Sequence, residues 1–234
     1  MRSFLSIVAL TAFAIVPIGA ALAHGGGSSG AGPAGMVTAT PRAPADAAKT
    51  AYNSGVRYVK KAQDYDADAA KASSPDKAAK ARDKAQKSYH DALASFIDAV
   101  GADPKMAEAW NYLGFCQRHL GNYDDALGAY AKALELNPNY PDAIEYRGEA
   151  YLGLNQIEEA KGAYMALFRS SRPLADELMV AMHHWADARR QDAQGVPTAD
   201  VDAFAKWMDE RAGIAAQTAS LAIGTTQTWR LGLR

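Results

Sequence analysis

The sequence has little cysteine, little excess charge and no long hydrophobic run beyond its first residues. Its 234 residues include a single cysteine, Cys116, which excludes an intramolecular disulfide framework. The net charge of −1 excludes a strongly basic protein, so the composition predicts no nucleic-acid partner. No later apolar run reaches the roughly 20 residues of a membrane-spanning helix, so no stable membrane anchor is predicted.

Recognisable catalytic motifs are also missing. The chain contains no HExxH or CxxC sequence and no glycine-rich phosphate loop. Cys116 has two interpretations, a catalytic thiol or a small buried side chain, and its place within an apolar helical pattern favours the second. We therefore predict that the protein is not an enzyme and needs no cofactor.

The first residues resemble a secretory signal peptide. Arg2 precedes an apolar run from Leu5 to Ile18, and Ala21-Leu22-Ala23 provides a small-residue cleavage site. We predict a signal peptide over residues 1–23 and export, most simply to the periplasm; the alternative is an uncleaved N-terminal anchor. Residues 24–47 are rich in Gly, Ala and Pro and predict a flexible linker.

What the chain does have is a pattern of paired helices centred on residues 107–140. Bulky and small apolar residues recur there at helical spacing in two runs. The turn between the runs is Leu120-Gly121-Asn122, and Pro138 ends the second run. Such a hairpin has one apolar edge left uncovered, so it needs neighbouring hairpins.

This window resembles a tetratricopeptide repeat, whose period is about 34 residues. Only Gln117, in place of the usual tyrosine, departs from the pattern carried by Trp110, Leu113, Gly114, Ala126, Tyr130, Ala133 and Pro138. A weaker copy over residues 141–172 has Gly148, Tyr151, Ala160 and Tyr164. A first copy, over residues 48–106, has Gly55 and Tyr58 in its first helix and Ala92, Phe96, Ala99 and Pro104 in its second.

The first copy is split by an insertion over residues 61–86, which we expect to lengthen both helices around a turn at residues 73–76. The resemblance thus predicts an all-α helical-hairpin solenoid of about three repeats over residues 48–172. Residues 173–234 are predicted to supply capping helices and a tail, with a helix over 173–190 and another that begins at Thr198 and ends near Gly213.

The resemblance also implies a function. Members of the family bind a protein or peptide in a concave groove lined by the first helix of each repeat. The corresponding groove positions here are Tyr52, Glu108, Asn111, Phe115, Arg118, His119, Asp142, Glu145 and Glu149. Tyr52 and Phe115 are the predicted apolar anchors, and the three carboxylates of the third repeat predict a partner with a basic segment.

Two alternatives stay open at this level. Met179, Met182, His183 and His184 cluster on one predicted helix, and Met with His suits copper, as would His24 at a new N-terminus. The other alternative is self-assembly through an uncovered edge of the array. We predict no metal site, and the sequence does not determine the oligomeric state.

Overall fold

The structure is a computed structural model that describes the backbone of residues 44–231 and the side chains of residues 45–218. The predicted signal peptide and nearly all of the predicted linker lie outside this range. Within the described part every regular element is an α-helix: α1 (Pro44–Ala70), α2 (Pro75–Ala102), α3 (Ala107–His119), α4 (Tyr123–Leu136), α5 (Pro141–Gly153), α6 (Ile157–Ser170), α7 (Arg172–Gln191) and α8 (Thr198–Leu231). The predicted all-α architecture is confirmed.

The helices pair as successive hairpins, α1 with α2, α3 with α4, α5 with α6 and α7 with α8. Each new first helix packs on the hairpin before it: α3 contacts α1 and α2, α5 contacts α3 and α4, and α7 contacts α5 and α6. The α7–α8 pair, predicted as a cap, therefore stacks on the array in the same way as the earlier hairpins.

Small residues set how closely the paired helices approach. A Cβ atom at Gly114 on α3 would lie 2.7 Å from Cε1 of Tyr130 on α4, and one at Gly55 on α1 would lie 2.6 Å from Cζ of Phe96 on α2. Both aromatic rings are fully buried. The glycine and the aromatic residue of the repeat pattern are thus a contacting pair, and the close approach explains their spacing.

The turns repeat as well. Gly121, after α3, has φ +81°, and Asn155, at the equivalent place in the next hairpin, has φ +61°. Asparagine is one of the few residues other than glycine that adopt this left-handed conformation. Gln117, the departure from the family pattern, accepts a hydrogen bond at 2.8 Å from the side chain of Asn122 and so helps to hold the first of these turns.

The long first hairpin accounts for residues 61–86. α1 has 27 residues and α2 has 28, whereas α3 has 13 and α4 has 14. The chain reverses at residues 71–74, where Ser74 caps α2 by accepting from the backbone N–H of Lys77 at 3.4 Å and Pro75 occupies the first turn. α1 begins at Pro44, within the predicted linker.

The last helix is longer than predicted. We expected Gly213 to end it, but α8 continues through Gly213 to Leu231. A glycine costs only about 1 kcal/mol inside a helix, and the following residues are mostly good or tolerable helix formers, so the predicted stop was wrong.

Two buried clusters lie at the two ends of the array. At the first end, Val59, Tyr89, Phe96, Phe115 and Cys116 join α1, α2 and α3. At the other end the cluster joins α5 to α8 and includes Tyr164, Leu167, Leu178, Met182, Phe204 and Met208. Cys116 is fully buried, as its apolar interpretation predicted, and burial raises the pKa of its thiol to about 12.

Candidate functional site

The predicted groove residues lie on α1, α3 and α5, the first helices of consecutive hairpins. Rings connect these helices in a continuous row: Tyr52 contacts Tyr112 at 5.8 Å, Tyr112 contacts Phe115 at 6.2 Å, and Phe115 contacts Tyr146 at 5.1 Å between centroids. We call the surface above this row the first-helix face. Its members are Tyr52, Glu108, Tyr112, Arg118, His119, Asp142, Tyr146 and Glu149, all at least partly exposed.

Three predicted groove residues lie beneath this face. Asn111 is 2% exposed, Phe115 is 5% exposed and Glu145 is 2% exposed. Phe115, expected to be an anchor for the partner, instead packs among the rings of Tyr112, Tyr146 and His119. It supports the face but has little surface of its own to offer.

Two tyrosines of the face were absent from the sequence prediction. Tyr112 and Tyr146 occupy the same position in consecutive repeats, and both rings contact Phe115, which was predicted to be an anchor. Desolvation raises the pKa of both, for Tyr146 to about 12. Both hydroxyls, like that of an ordinary tyrosine with a pKa of about 10, are protonated at neutral pH and are available as hydrogen-bond donors. Their recurrence at the repeat period was the signal that would have identified them.

Arg118 organises the centre of the face. It forms an ion pair with Glu149, and its guanidinium lies 5.4 Å from the Phe115 ring centroid and 5.5 Å from that of Tyr146. The Arg118 side chain is 15% exposed and the Glu149 side chain 24%. Each charge thus compensates the other in a partly desolvated place, where an isolated charge is costly.

Glu145 lies next to this pair. Its burial, followed by the negative charge of Glu149, raises the pKa of Glu145 to about 9, although Arg118 acts in the opposite direction. The Glu145 carboxyl is protonated at neutral pH and shares a hydrogen bond with Glu149. Of the three carboxylates predicted to attract a basic segment, one is neutral and one is paired, which leaves Asp142.

Asn111, beneath the face, and His119, on it, are two further polar residues predicted for the groove. The amide of Asn111 donates to the hydroxyl of Tyr140 at 3.5 Å, while its own Oδ1 has no partner among the described residues. His119 stacks on Tyr89 at 4.4 Å between centroids. Desolvation of the ring, with the charge of Arg118, lowers the pKa of His119 and so favours the neutral imidazole, although the residue as a whole is exposed.

At the α7 end the face runs into a depression of about 460 Å³. Arg118, His119 and Glu149 form one side of it, and Trp185 and Arg189 of α7 are on the other. Asn155 holds α7 here, because its Oδ1 accepts from Nε1 of Trp185 at 3.2 Å and from Nε of Arg189 at 2.9 Å.

The Met and His residues of the alternative metal-binding hypothesis are separated by the packing of α7. Met182 is fully buried in the core and Met179 packs against it, whereas His183 and His184 are exposed. Among the residues that the structure describes, no three His, Cys, Asp or Glu side chains are grouped so as to hold a metal ion. None of the described helices is long and apolar enough to span a bilayer.

Sequence profiles of known families identify the repeats. The tetratricopeptide repeat profile matches residues 107–140, the window formed by α3 and α4. A second profile of the same description matches residues 129–162. The chain contains tetratricopeptide repeats. The predicted family is confirmed, and the first-helix face is built from the first helices of these repeats and of the hairpin before them.

Solved tetratricopeptide structures are similar to this chain at low identity. The first tetratricopeptide domain of Spaghetti (RPAP3) bound to an HSP90 peptide is 20% identical, with 58% of this chain and 95% of that chain covered and a TM-score of 0.40. The first such domain of human RPAP3 is 18% identical, with 60% and 98% covered and a TM-score of 0.41. The TPR2B domain of yeast Sti1, in a complex with pHsp70, is 12% identical, with 70% and 97% covered and a TM-score of 0.37. Curated protein sequences give no significant match.

Proposed function

We propose that the protein is an exported interaction scaffold without catalytic activity, and that its first-helix face binds a segment of a protein partner. The observation that carries the proposal is the row of half-buried tyrosines Tyr52, Tyr112 and Tyr146, one from each of three successive first helices. Tyrosine combines a large apolar ring with a hydroxyl donor and is enriched where partners bind.

The spacing of these rings suits an extended segment rather than a compact ligand. Each ring comes from a different helix, and the row is continuous because Tyr52 contacts Tyr112 directly and Phe115 joins Tyr112 to Tyr146. A segment that crosses the first helices would meet one tyrosine for each hairpin. The protonated hydroxyls are suited to donate to its backbone carbonyl groups.

The charges of the first-helix face indicate which side chains the partner segment carries. Arg118 and Glu149 neutralise each other, and burial disfavours a charge on Glu145, so the predicted attraction for a basic segment rests on Asp142 and Glu108. Asp142 forms no ion pair among the described residues. We propose that basic side chains of the partner lie over Asp142 and Glu108 and that the contacts with the tyrosine row are apolar and neutral.

Peptide selection tests this proposal with a random library in place of the natural partner. Peptides selected on the wild-type protein are expected to lose binding at least tenfold, or about 1.4 kcal/mol, with the Tyr112→Ala variant. Tyr58→Ala is the matched control, because Tyr58 is an exposed tyrosine of α1 that contacts none of the rings in the row.

Two outcomes would count against the proposal. Selected peptides that bind Tyr112→Ala as tightly as wild type would place the binding surface elsewhere. Peptides that bind Asp142→Lys more tightly than wild type would contradict the basic contact while leaving the aromatic row in place. Export has its own test, which is the recovery of mature protein, beginning near residue 24, from the periplasmic fraction.

A further inference from the structure

The outer half of the long first hairpin is free of the rest of the array. α1 and α2 are about twice as long as α3 and α4, so at about 1.5 Å per residue they extend roughly 20 Å farther. The buried residues that join them to α3 end at Ala62 on α1 and Ala85 on α2. Beyond these positions the two helices pack on each other, and the partner-binding proposal gives this segment no role.

This outer segment carries unpaired basic charge. A shallow depression of about 360 Å³ is lined by Tyr65, Asp68 and four lysines, Lys71, Lys77, Lys80 and Lys84. All four lysines are exposed, and none forms an ion pair among the described residues. Residues 61–87, which span both arms of the segment, hold seven basic and five acidic side chains, in a chain whose net charge is −1.

The lysines of α2 share one side of the helix. Lys77, Lys80, Lys84 and Lys87 follow one another at intervals of three, four and three residues, the spacing of a single helical face. The stripe is about 15 Å long at the helical rise of about 1.5 Å per residue. Lys71, in the turn, and Lys61, whose Nζ lies 5.9 Å from the Tyr65 ring centroid, widen it across the hairpin.

We propose that this lysine surface, formed by Lys61, Lys71, Lys77, Lys80, Lys84 and Lys87, docks the tip of the hairpin on an anionic lipid bilayer. Clusters of four to eight basic residues on a helix bind anionic lipid headgroups through summed electrostatic attraction. Lysine is a hydrated point charge without the planar fork of arginine, so it suits a diffuse negative surface rather than one fixed phosphate.

Other polyanions fit the surface less well. Proteins that bind single-stranded nucleic acid offer open aromatic faces to the bases, whereas the Tyr65 ring has Lys84 at 5.4 Å and Lys61 at 5.9 Å. A specific acidic protein would be expected to use buried aromatic or arginine anchors, and the lining of this depression includes no arginine. Docking on a bilayer requires only positive charge on an accessible surface, and the outer part of the long first hairpin supplies both.

Vesicle sedimentation tests the proposal with the full chain. The vesicles contain phosphatidylcholine alone or with about 30% phosphatidylglycerol, in about 50 mM salt. The wild-type protein is expected to sediment with the anionic vesicles. The Lys77→Glu/Lys80→Glu/Lys84→Glu variant is expected to show a partition coefficient lower by roughly a hundredfold.

A control variant with the same change in net charge distinguishes binding through the lysine surface from binding that depends on net charge alone. Both variants keep the N-terminal apolar run, so a difference in binding between them does not come from that run. Lys105→Glu/Lys132→Glu/Lys206→Glu reverses three exposed lysines elsewhere and is expected to bind as wild type does. The triple tip variant is checked for folding by circular dichroism. Salt supplies a second measurement that needs no variant, since about 500 mM salt is expected to release the wild-type protein.

Each remaining outcome contradicts the proposal. Equal losses in the two triple variants would mean that only net charge matters, and binding that resists salt or persists on neutral vesicles would assign it to apolar residues. Tip-dependent binding to polyglutamate or duplex DNA, with no binding to anionic vesicles, would replace the bilayer by an acidic protein or a nucleic acid.

Discussion

Replacing Glu145 with glutamine is expected to stabilise the protein at neutral and alkaline pH. Glu145 is 2% exposed, and its pKa is raised from 4.5 to about 9 by burial and by Glu149. The folded state therefore keeps a proton that the unfolded chain releases, and stability falls as the pH rises from about 4.5 to about 9. Glutamine removes this dependence while its amide can still donate to Glu149.

The size of the effect follows from the pKa shift. At about pH 7 the wild-type chain has lost roughly 2 to 3 kcal/mol relative to about pH 4.5, at about 1.4 kcal/mol for each pH unit and allowing for relaxation of the site. The free energy of unfolding of the Glu145→Gln variant is therefore expected to exceed that of wild type by roughly 2 to 3 kcal/mol at neutral pH. The two proteins are expected to converge below about pH 3.5, where Glu145 is protonated in both the folded and the unfolded state.

Glu149→Gln is the matched control with the opposite expected sign. Glu149 forms the ion pair with Arg118, whose side chain is 15% exposed, so replacing Glu149 leaves a largely buried cation unpaired. Breaking such a pair costs about 3 kcal/mol. Urea unfolding midpoints, followed by circular dichroism from about pH 5 to about pH 8.5, compare the three proteins. A Glu145→Gln variant that is less stable than wild type at about pH 8 would refute the assignment of a protonated carboxyl.

Two further substitutions test the packing, again by urea unfolding. Gly114→Ala is expected to destabilise the protein by about 1–2 kcal/mol, because the new methyl group meets the buried Tyr130 ring. The control, Gly128→Ala on the open side of α4, is expected to be neutral or stabilising by up to about 1 kcal/mol. Equal effects of the two substitutions would contradict the close approach of α3 and α4. Asn155→Ala is expected to lower the free energy of unfolding by about 2–4 kcal/mol, since it strains the left-handed turn and leaves Trp185 and Arg189 without their acceptor. Asn155→Gly removes only the acceptor and is expected to cost about 1 kcal/mol less. A glycine variant as stable as wild type would show that the hydrogen bonds of the Asn155 side chain contribute nothing to stability.

The hairpins were predictable from sequence because their signals are local. Gly114 and Tyr130 lie on either side of one short turn, and Pro138 follows directly, so a single window contains the contacting pair and the stop. The first hairpin was harder, since Gly55 and Phe96 make the same contact from opposite sides of the insertion. The repeat pattern identified this hairpin only when an insertion was placed between the matching parts of its two helices.

The charges of the face were not predictable because they depend on packing between hairpins. From their positions in the repeat, Glu145 and Glu149 were both predicted to line the groove. In the structure the Glu145 carboxyl is buried and protonated, whereas Glu149 pairs with Arg118 from the preceding hairpin. The repeat register identified which helices form the face. It did not show that Tyr112 and Tyr146 cover Phe115, although the recurrence of tyrosine at one position of consecutive repeats contained that information.

Site-specific photo-crosslinking in intact cells tests the central claim most directly. A photoreactive phenylalanine analogue replaces Tyr112 or Tyr146 on the first-helix face, and Tyr58 or Lys132 away from it, each at a partly or fully exposed position. The account predicts that both face positions capture the same protein, through one segment of its chain, and that the other two positions do not. Capture from Tyr58 or Lys132 with none from Tyr112 and Tyr146 would contradict it.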